Sequence, residues 1–407
     1  MTVRSGCKTG TRQNALSVYI SIPESKRELA CGILAHSESG YFRFSYDADF
    51  PERSRRFALG PHYFNLPESA SWCEHPPHVL LDTEAGAWGQ KIQIHAELPL
   101  SELTLKFPPA TERIGAITFG VPEERVSAPD LHLDLEACLA LSQRMETCPS
   151  PEYAQALAPV TAGVNGSRPK ALVQANCGEY AIAKFPSPSD AWPVINCEFL
   201  GMRLAQAAGL TTSNVRLIDV NGSDVLLIDR FDVIVNGAGR KKRHIFSALT
   251  ALQLLDWEAR YAGYPEFADF LSRYSHTPKD DCRELYARMV LNMLVGNTDD
   301  HARNHAVFWD GSSCRLTPVY DVVMFPRVGT VSSQAMIVGK EGTISSRQNS
   351  LSECHRFGLT SREASEIHDQ LAEAVSSHWE RAADEAKLPK RYREQLKRQI
   401  ADRCHDK

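Results

Sequence analysis

The stretch from position 297 to position 321 constrains the fold of this chain more than any other. A polar run, NTDDHARNH, occupies positions 297–305 and follows an apolar helical pattern that ends at Gly296. Two strand patterns joined by a DGS turn come next, at 306–309 and 314–316, and then Asp321. The order predicts a helix end, a polar loop, a β-hairpin and a second carboxylate close together in space.

This order suits phosphoryl transfer. Asp299 can orient a substrate hydroxyl and accept its proton, and Asn304, five residues later, can turn back toward a metal ion. The hairpin then delivers Asp321 to Mg²⁺, which needs few protein oxygen ligands when waters complete its shell. Two alternatives stay open: an Asp-rich solvated turn, and a hydrolase metal site built from Asp299, Asp300, His301 and His305.

Composition narrows the class of protein. The 407 residues suffice for two or three domains, and the formal charge of -5 disfavours a strongly basic nucleic-acid binder. No apolar run is long enough to cross a membrane, and the polar N-terminus leads us to expect no secretory signal. The eleven cysteines are scattered, without a C-x-x-C pair. Reduced thiols and a cytoplasmic location are therefore expected.

The patterns along the chain predict three regions. Residues 1–125 form a β-rich N-terminal subdomain with proline-rich loops, residues 126–238 a linker helix and a nucleotide-binding lobe, and residues 239–407 a helical catalytic lobe. Strands are predicted at 16–20, 41–46 and 113–120, with hairpins at 170–185 and 215–228. Helices are predicted from Asp130 to about 146, and at 194–208, 282–295 and 361–387.

The hairpin at 170–185 adds candidate groups for binding phosphates. The small residues of 163–170, which we call the glycine loop, allow backbone N–H groups to approach phosphates. Lys184 ends the second strand, where it can pair with phosphates and with Glu198 on the next helix. By periodicity alone, the sequence favours a solvated strand end for Lys184 and a surface position for Glu198.

The motifs together resemble the HipA family of bacterial serine/threonine kinases, the toxins of HipBA-type toxin–antitoxin systems. The resemblance rests on GNTDDHARN at 296–304 with LTPVYD at 316–321, on GSRPKAL at 166–172 and on IDRFD at 228–232. The N-terminal region also resembles that family, except that DTEAGA at 82–87 lacks the proline and second Asp of the usual D-x-x-P-D motif.

The resemblance implies an α+β, protein-kinase-like fold related to phosphoinositide 3/4-kinases, with a β-rich N-terminal subdomain and a mainly helical C-terminal lobe. It implies ATP and Mg²⁺ as cofactors and Asp299 as the catalytic base. The implied metal ligands are Asn304 and Asp321. The implied nucleotide-binding residues are Gly166, Ser167, Lys170, Lys184, Glu198, Asp229, Phe231 and His301.

The family also implies partners and regulation. A host protein, such as an aminoacyl-tRNA synthetase, is the implied substrate, and growth arrest or persistence the implied effect. A HipB-like helix-turn-helix antitoxin would neutralise the toxin and make any contact with DNA. Ser167 and Thr161 are the candidate autophosphorylation sites. A nucleotide-binding pseudokinase that acts as a regulatory module is the alternative.

Two basic runs stay outside this assignment. They lie at 240–244 and 387–403, and each is either a solvated surface or a docking surface for an acidic partner.

Overall fold

The computed structural model describes residues 14–22, 25, 27–54, 57–63, 71–98, 100–109, 112–121, 134–174, 179–236, 239–326 and 332–404. In these ranges the chain combines antiparallel sheets with a largely helical C-terminal half. None of the helices in them is long and apolar enough to span a membrane.

The N-terminal region builds a four-stranded antiparallel sheet in the order β3-β2-β1-β4. Leu16, Val18 and Ile20 alternate into the core, as the period of two predicts. The second strand was not predicted, because its LACGILAH sequence does not alternate. The strands are β1 (Ala15–Ile20), β2 (Leu29–His36), β3 (Phe42–Tyr46) and β4 (Ile117–Gly120).

Short helices lie between β3 and β4, so the loop prediction fails for that region as a whole, although Pro61, Pro76 and Pro108 lie outside the helices as predicted. Pro51 occupies the first turn of one helix, where its missing N–H costs nothing, and Pro77 precedes another. These prolines therefore mark helix starts. The helices are α1 (Phe50–Arg53), α2 (His78–Leu81), α3 (Ala87–His95) and α4 (Glu102–Lys106).

A second four-stranded sheet, in the order β5-β6-β8-β7, carries the two predicted hairpins. Asp134 caps the preceding helix by accepting a hydrogen bond from the Ala137 N–H at 2.6 Å, while the predicted start at Asp130 lies outside the described residues. The elements are α5 (Leu135–Thr147), α6 (Pro151–Thr161), β5 (Lys170–Gln174), β6 (Tyr180–Lys184), α7 (Val194–Ala207), β7 (Val215–Val220) and β8 (Ser223–Asp229).

The C-terminal half holds the 297–321 stretch among helices. The two-stranded ribbon β9-β10 and strand β11 precede the polar run, and strands β12 and β13 follow it. Strands β11, β12 and β13 form one three-stranded sheet. The strands are β9 (Val233–Asn236), β10 (Gly239–Lys242), β11 (Ile245–Ser247), β12 (Ala306–Trp309) and β13 (Cys314–Leu316). The helices are α8 (Ala248–Ala251), α9 (Tyr264–Tyr274), α10 (Pro278–Val295), α11 (Arg347–Ser352), α12 (Ser361–Glu385) and α13 (Lys390–Cys404), with 3-10 turns at Asp256–Tyr261, Ala302–Asn304 and Cys354–Phe357.

The apolar cores connect distant parts of the chain. One core joins the N-terminal sheet, including Leu16 and Phe44, to Phe267 and Leu285 of the helical half. A second packs α7 against α10, α12 and α13, and a third packs α3, α5 and α6 on the sheet that contains β5 and β6. The three sets of elements are thereby held around one central cleft.

Candidate active site

A cleft of about 270 Å³ lies between the β5–β8 sheet, the N-terminal segment and the polar loop, residues 297–305. Most of the predicted site residues line it, although they come from four separate parts of the sequence. They are Gly166, Lys170, Lys184, Asp229, Phe231, His301, Asn304 and Asp321. The predicted groups therefore converge on one place.

Lys184 is the central cation of the cleft. Its Nζ donates a hydrogen bond to Glu198 Oε1 at 2.6 Å and another to Asp321 Oδ1. Burial disfavours the charged form of Lys184, but Asp321 and Glu198 outweigh that effect and raise its pKa. Burial raises the pKa of Glu198, whose side chain is only 3% exposed. The predicted pairing of Lys184 with the helix glutamate is present.

Lys170 lies directly opposite Lys184 on the neighbouring strand. Its Nζ donates to the Asn165 carbonyl at 2.8 Å, across the glycine loop. Burial and the nearby Lys184 charge lower the pKa of Lys170 to about 8. Gly166 has φ +106°, and a Cβ there would collide with Lys170 Nζ. Two neighbouring cations beneath a glycine loop form a ready site for an anion.

The polar loop contains two adjacent aspartates with different environments. Asp300 is buried and accepts hydrogen bonds from Tyr264, from Asn292 Nδ2 at 2.7 Å and from His305 Nε2 at 2.9 Å. These contacts make Asp300 and His305 structural residues that support the loop. Asp299, by contrast, is exposed to solvent and is not among the residues that line the cleft.

Asp299 has the electrostatic setting of a base. Partial burial raises its pKa, and Asp321 and Asp300 add to this effect, while His301 opposes it. Asn304 Nδ2 donates to the Asp299 backbone carbonyl at 3.3 Å, so the two predicted residues lie at one turn. A carboxylate with a raised pKa accepts a proton more readily than an ordinary aspartate.

Asp321 adopts an unusual backbone conformation, with φ +62°. Left-handed backbone costs free energy for any residue with a Cβ, and such residues concentrate at functional sites. Burial opposes ionisation of Asp321, but Lys184 and Lys170 outweigh burial and lower its pKa. It is therefore a carboxylate across the ordinary pH range.

The link from β8 to β9 forms one wall of the cleft. Asp229 accepts from Asn214 Nδ2 at 2.8 Å and from Arg216 Nη2 at 2.7 Å, so its side chain has local partners. Phe231 is half-buried, lines the cleft and lies edge-on to Phe308, with ring centroids 5.7 Å apart. An aromatic side chain at this wall can contact a flat base.

The two predicted autophosphorylation sites differ in accessibility. Thr161 is fully buried at the end of α6, and its hydroxyl donates to the Leu157 carbonyl at 3.0 Å. Ser167 is exposed on the glycine loop. Of the two hydroxyls, only that of Ser167 is accessible to solvent in this conformation.

The donor set suits a hard cation. The Asp321 carboxylate and the Asn304 amide oxygen are oxygen ligands of the type that Mg²⁺ accepts, and the cleft has room for phosphates beside Lys170 and Lys184. Within the described residues, no group of three or more His, Cys, Asp or Glu side chains is arranged to hold a metal ion. The alternative hydrolase site therefore has no support there.

Sequence reasoning missed a buried set of charges that joins the N-terminal region to the cleft wall. Glu112 accepts from Arg230 Nη1 at 2.8 Å, lies 3.1 Å from Lys242 Nζ and also pairs with Arg240. Asp232 pairs with Arg230 at 2.6 Å. We call these residues the hinge cluster: Glu112, Arg230, Asp232, Arg240 and Lys242. Arg230 and Asp232 belong to the IDRFD motif, and Arg240 and Lys242 to the first basic run, but no local signal pairs them with Glu112, which lies 118 residues before Arg230.

In the first basic run, Arg240 and Lys242 pair with the internal carboxylate of Glu112, whereas Arg243 is exposed, so a fully solvated run is wrong for two of its residues. In the second run, Arg393 and Lys397 pair with Glu380 of α12, at 2.5 Å for Arg393. Several basic side chains of the two runs therefore form ion pairs with carboxylates of the same chain.

Nine cysteines fall within the described residues, and all are free thiols. Burial raises the pKa of Cys138 and Cys197 to about 12. Cys138 and Cys197 are therefore unreactive packing groups.

The fold and the cleft define a mixed helix-and-sheet protein with a lysine–glutamate–aspartate site beneath a glycine loop. A model of the HipA-like C-terminal domain matches residues 162–379, more than half of the chain. This chain belongs to the HipA family.

Individual relatives agree with that membership. The chain is 31% identical over 170 residues to the putative kinase Y4mE of Sinorhizobium fredii, and 28% identical over 146 residues to the serine/threonine-protein kinase toxin HipA of Shewanella oneidensis. The alignments span 39% and 34% of those two proteins and 40% and 32% of this chain.

A solved structure shares nearly the whole fold. A chain in the complex of HipA, HipB and operator DNA from Shewanella oneidensis MR-1 matches with a TM-score of 0.71 at 19% identity, covering 96% of both chains. At this identity the likeness concerns the fold, and it includes the N-terminal sheet.

Proposed function

We propose that this protein is a toxin of the HipA type, an ATP- and Mg²⁺-dependent serine/threonine protein kinase. The observation that carries the proposal is the contact of Lys184 with both Glu198 and Asp321 inside a cleft that also holds Asn304. Protein kinases join a strand lysine, a helix glutamate and a metal-binding aspartate in this way. The family membership supports the same class of reaction.

The residues have distinct roles in the proposed transfer. Asp299 orients a serine or threonine hydroxyl and accepts its proton at the carboxylate as the oxygen bonds to the γ-phosphorus. The bond from that phosphorus to the bridging β–γ oxygen breaks, and ADP leaves. Lys184 and Lys170 offset phosphate charge, and the glycine loop covers the phosphates.

Asn304 and Asp321 would hold Mg²⁺, which when bound offsets the negative charge that develops on the phosphate oxygens. The Lys184 contact keeps the Asp321 carboxylate ionised and oriented toward the same cleft. Phe231 and the backbone beside it would contact the adenine base, and His301 would lie near the nucleotide.

The partners follow from the relatives. The solved complex contains HipA, HipB and operator DNA, so we infer a HipB-like antitoxin for this chain, with DNA contact made through that partner in the cytoplasm. A host protein, such as an aminoacyl-tRNA synthetase, is the inferred substrate. Ser167 is the inferred autophosphorylation site because its hydroxyl is exposed beside the cleft.

Substitution of the base tests the proposal. Asp299→Asn should abolish transfer of ³²P from labelled ATP to proteins of a bacterial lysate and to Ser167, while calorimetry with a non-hydrolysable ATP analogue shows nearly unchanged affinity. Asp402→Asn, an exposed position on α13, is the matched control and should behave as wild type. Wild-type transfer by Asp299→Asn would contradict the assignment.

A cellular assay separates a kinase toxin from a pseudokinase. Expression of the wild-type chain should arrest growth, and Asp321→Ala should relieve the arrest. ATP binding without transfer, combined with arrest that survives Asp321→Ala, would favour the regulatory module instead.

A further inference from the structure

Segment 82–88 of the N-terminal region lies at the cleft, although it carries none of the residues assigned to the reaction. Asp82 and Thr83 line the cleft directly. Asp82 is the C-cap residue that follows α2, and its side chain is only 10% exposed. A carboxylate this deeply buried needs partners, and those partners identify its role.

The Asp82 carboxylate accepts three hydrogen bonds from the helical half of the chain. Its Oδ2 accepts from the Ser247 N–H at 2.6 Å, and its Oδ1 from the Ser247 hydroxyl at 2.7 Å. Oδ1 also accepts from Arg303 Nη1 at 2.8 Å. Ser247 is the last residue of β11, which pairs with β12 directly after the polar loop.

Arg303 transmits this contact to the reacting groups. It lies one residue before Asn304, and its carbonyl accepts a hydrogen bond from the Tyr320 hydroxyl at 2.7 Å. Tyr320 in turn precedes Asp321. Arg303 is thereby linked to both proposed metal ligands, directly along the chain to Asn304 and through Tyr320 to Asp321.

The same segment also holds the glycine loop. The Asp82 carbonyl accepts from Asn165 Nδ2 at 2.8 Å, and the Trp88 N–H donates to the Gly166 carbonyl at 3.1 Å. Gly86 lies so close to Gly166 that a Cβ would collide with its backbone. One short segment thus contacts both the glycine loop, at the proposed phosphate site, and the polar loop, which carries the proposed catalytic base.

We infer that Asp82 is a positioning residue that fixes the polar loop relative to the glycine loop. The inference rests on the proposed function, because it assigns these two loops to one reaction. The side chain of Asp82 acts on the polar loop, whereas its carbonyl acts on the glycine loop. Loss of the side chain should therefore impair turnover more than nucleotide binding.

Asp82→Ala tests this inference with Asp256→Ala as a matched control. Asp256 also pairs with Arg303, at 2.7 Å, but its side chain is 69% exposed and does not contact the glycine loop. In Asp82→Ala, kcat for ADP formation should fall roughly 10- to 100-fold, since displacements near 1 Å cost about that much. The Kd of a non-hydrolysable ATP analogue should change less than about threefold, and Asp256→Ala should change both values little.

A conservative variant separates positioning from simple destabilisation. Asp82→Asn keeps an acceptor for Ser247 but loses the charge that pairs with Arg303, so its kcat should be intermediate. Thermal denaturation of the three variants should show that each is folded at the assay temperature. A kcat of Asp82→Ala equal to that of Asp256→Ala would overturn the inference.

Hydrogen exchange of the nucleotide-free protein gives a readout that does not need activity. In Asp82→Ala, amides of residues 301–306 should exchange faster than in wild type and in Asp256→Ala. Faster exchange confined to Ser247 would overturn the inference. If the wild-type chain neither binds nor turns over ATP, the proposed function fails, while the exchange comparison still decides whether Asp82 fixes the polar loop.

Discussion

Replacement of Glu112 by glutamine tests how much the hinge cluster contributes to the stability of the fold. Burial opposes ionisation of Glu112, but Lys242, Arg230 and Arg240 outweigh it and lower the pKa from the usual 4.5 to about 2. At 1.36 kcal/mol per pH unit, that difference corresponds to about 3 kcal/mol of folding free energy at neutral pH. The side chain is fully buried, so solvent does not screen the interaction.

The sign of the pH dependence follows from the lowered pKa. The stabilisation by Glu112 is fully present above pH 4.5, where the unfolded side chain is also ionised, and is lost as the pH falls toward 2. By the same linkage relation, about 1 kcal/mol of this stabilisation remains at pH 3. Glu112→Gln should therefore unfold at lower urea concentration than wild type at pH 7, and the difference should narrow by about 2 kcal/mol at pH 3.

The control for this measurement is Glu380→Gln. Glu380 also pairs with two basic side chains, but at an exposed helix surface where solvent screens the charges. The variant Glu380→Gln should leave the urea midpoint nearly unchanged at both pH values. A Glu112→Gln midpoint equal to wild type at pH 7, or a difference that does not change with pH, would refute the reasoning.

Two further predictions concern the cleft. Because the pKa of Lys170 is about 8, Lys170 loses its charge above pH 8, and the Kd for ATP should then rise by up to about tenfold per pH unit. The variant Lys170→Met should bind ATP more weakly at pH 7 but should lose this pH dependence. Calorimetry across pH 7–9.5 measures both effects. Gly201→Ala would force a Cβ onto the Val322 carbonyl, next to Asp321. Thermal denaturation should then show a loss of about 1–3 kcal/mol of folding free energy, and kinetics should show a lower kcat. The control Gln206→Ala, on the exposed side of the same helix, should change neither value.

Local patterns predicted the elements that carry the site. The alternating strand at Tyr180–Lys184, the helix that ends at Gly296 and the hairpin before Asp321 are all present within a few residues of the predicted bounds. Each depends on periodicity or on a turn residue, and such signals are local in sequence. The domain limits at 125 and 238 and the roles of the site residues stay predictions.

Long-range pairing could not be predicted. Arg240 and Lys242 of the first basic run pair with Glu112, which lies 128 residues before Arg240, and no local pattern encodes such a distance. Asp82 and Arg303 are 221 residues apart and were likewise missed. The one available signal was the altered 82–87 motif, which marked the segment but not its contacts.

The shared core of the N-terminal sheet and the helical half has a consequence for synthesis on the ribosome. Leu16 and Phe44 emerge long before Phe267 and Leu285, which complete the same core. At 5–20 residues per second, the roughly 220 residues between Phe44 and Phe267 take roughly 11–45 s to translate. During that time the nascent sheet exposes apolar side chains, so a chaperone is expected to bind it before the C-terminal helices are made.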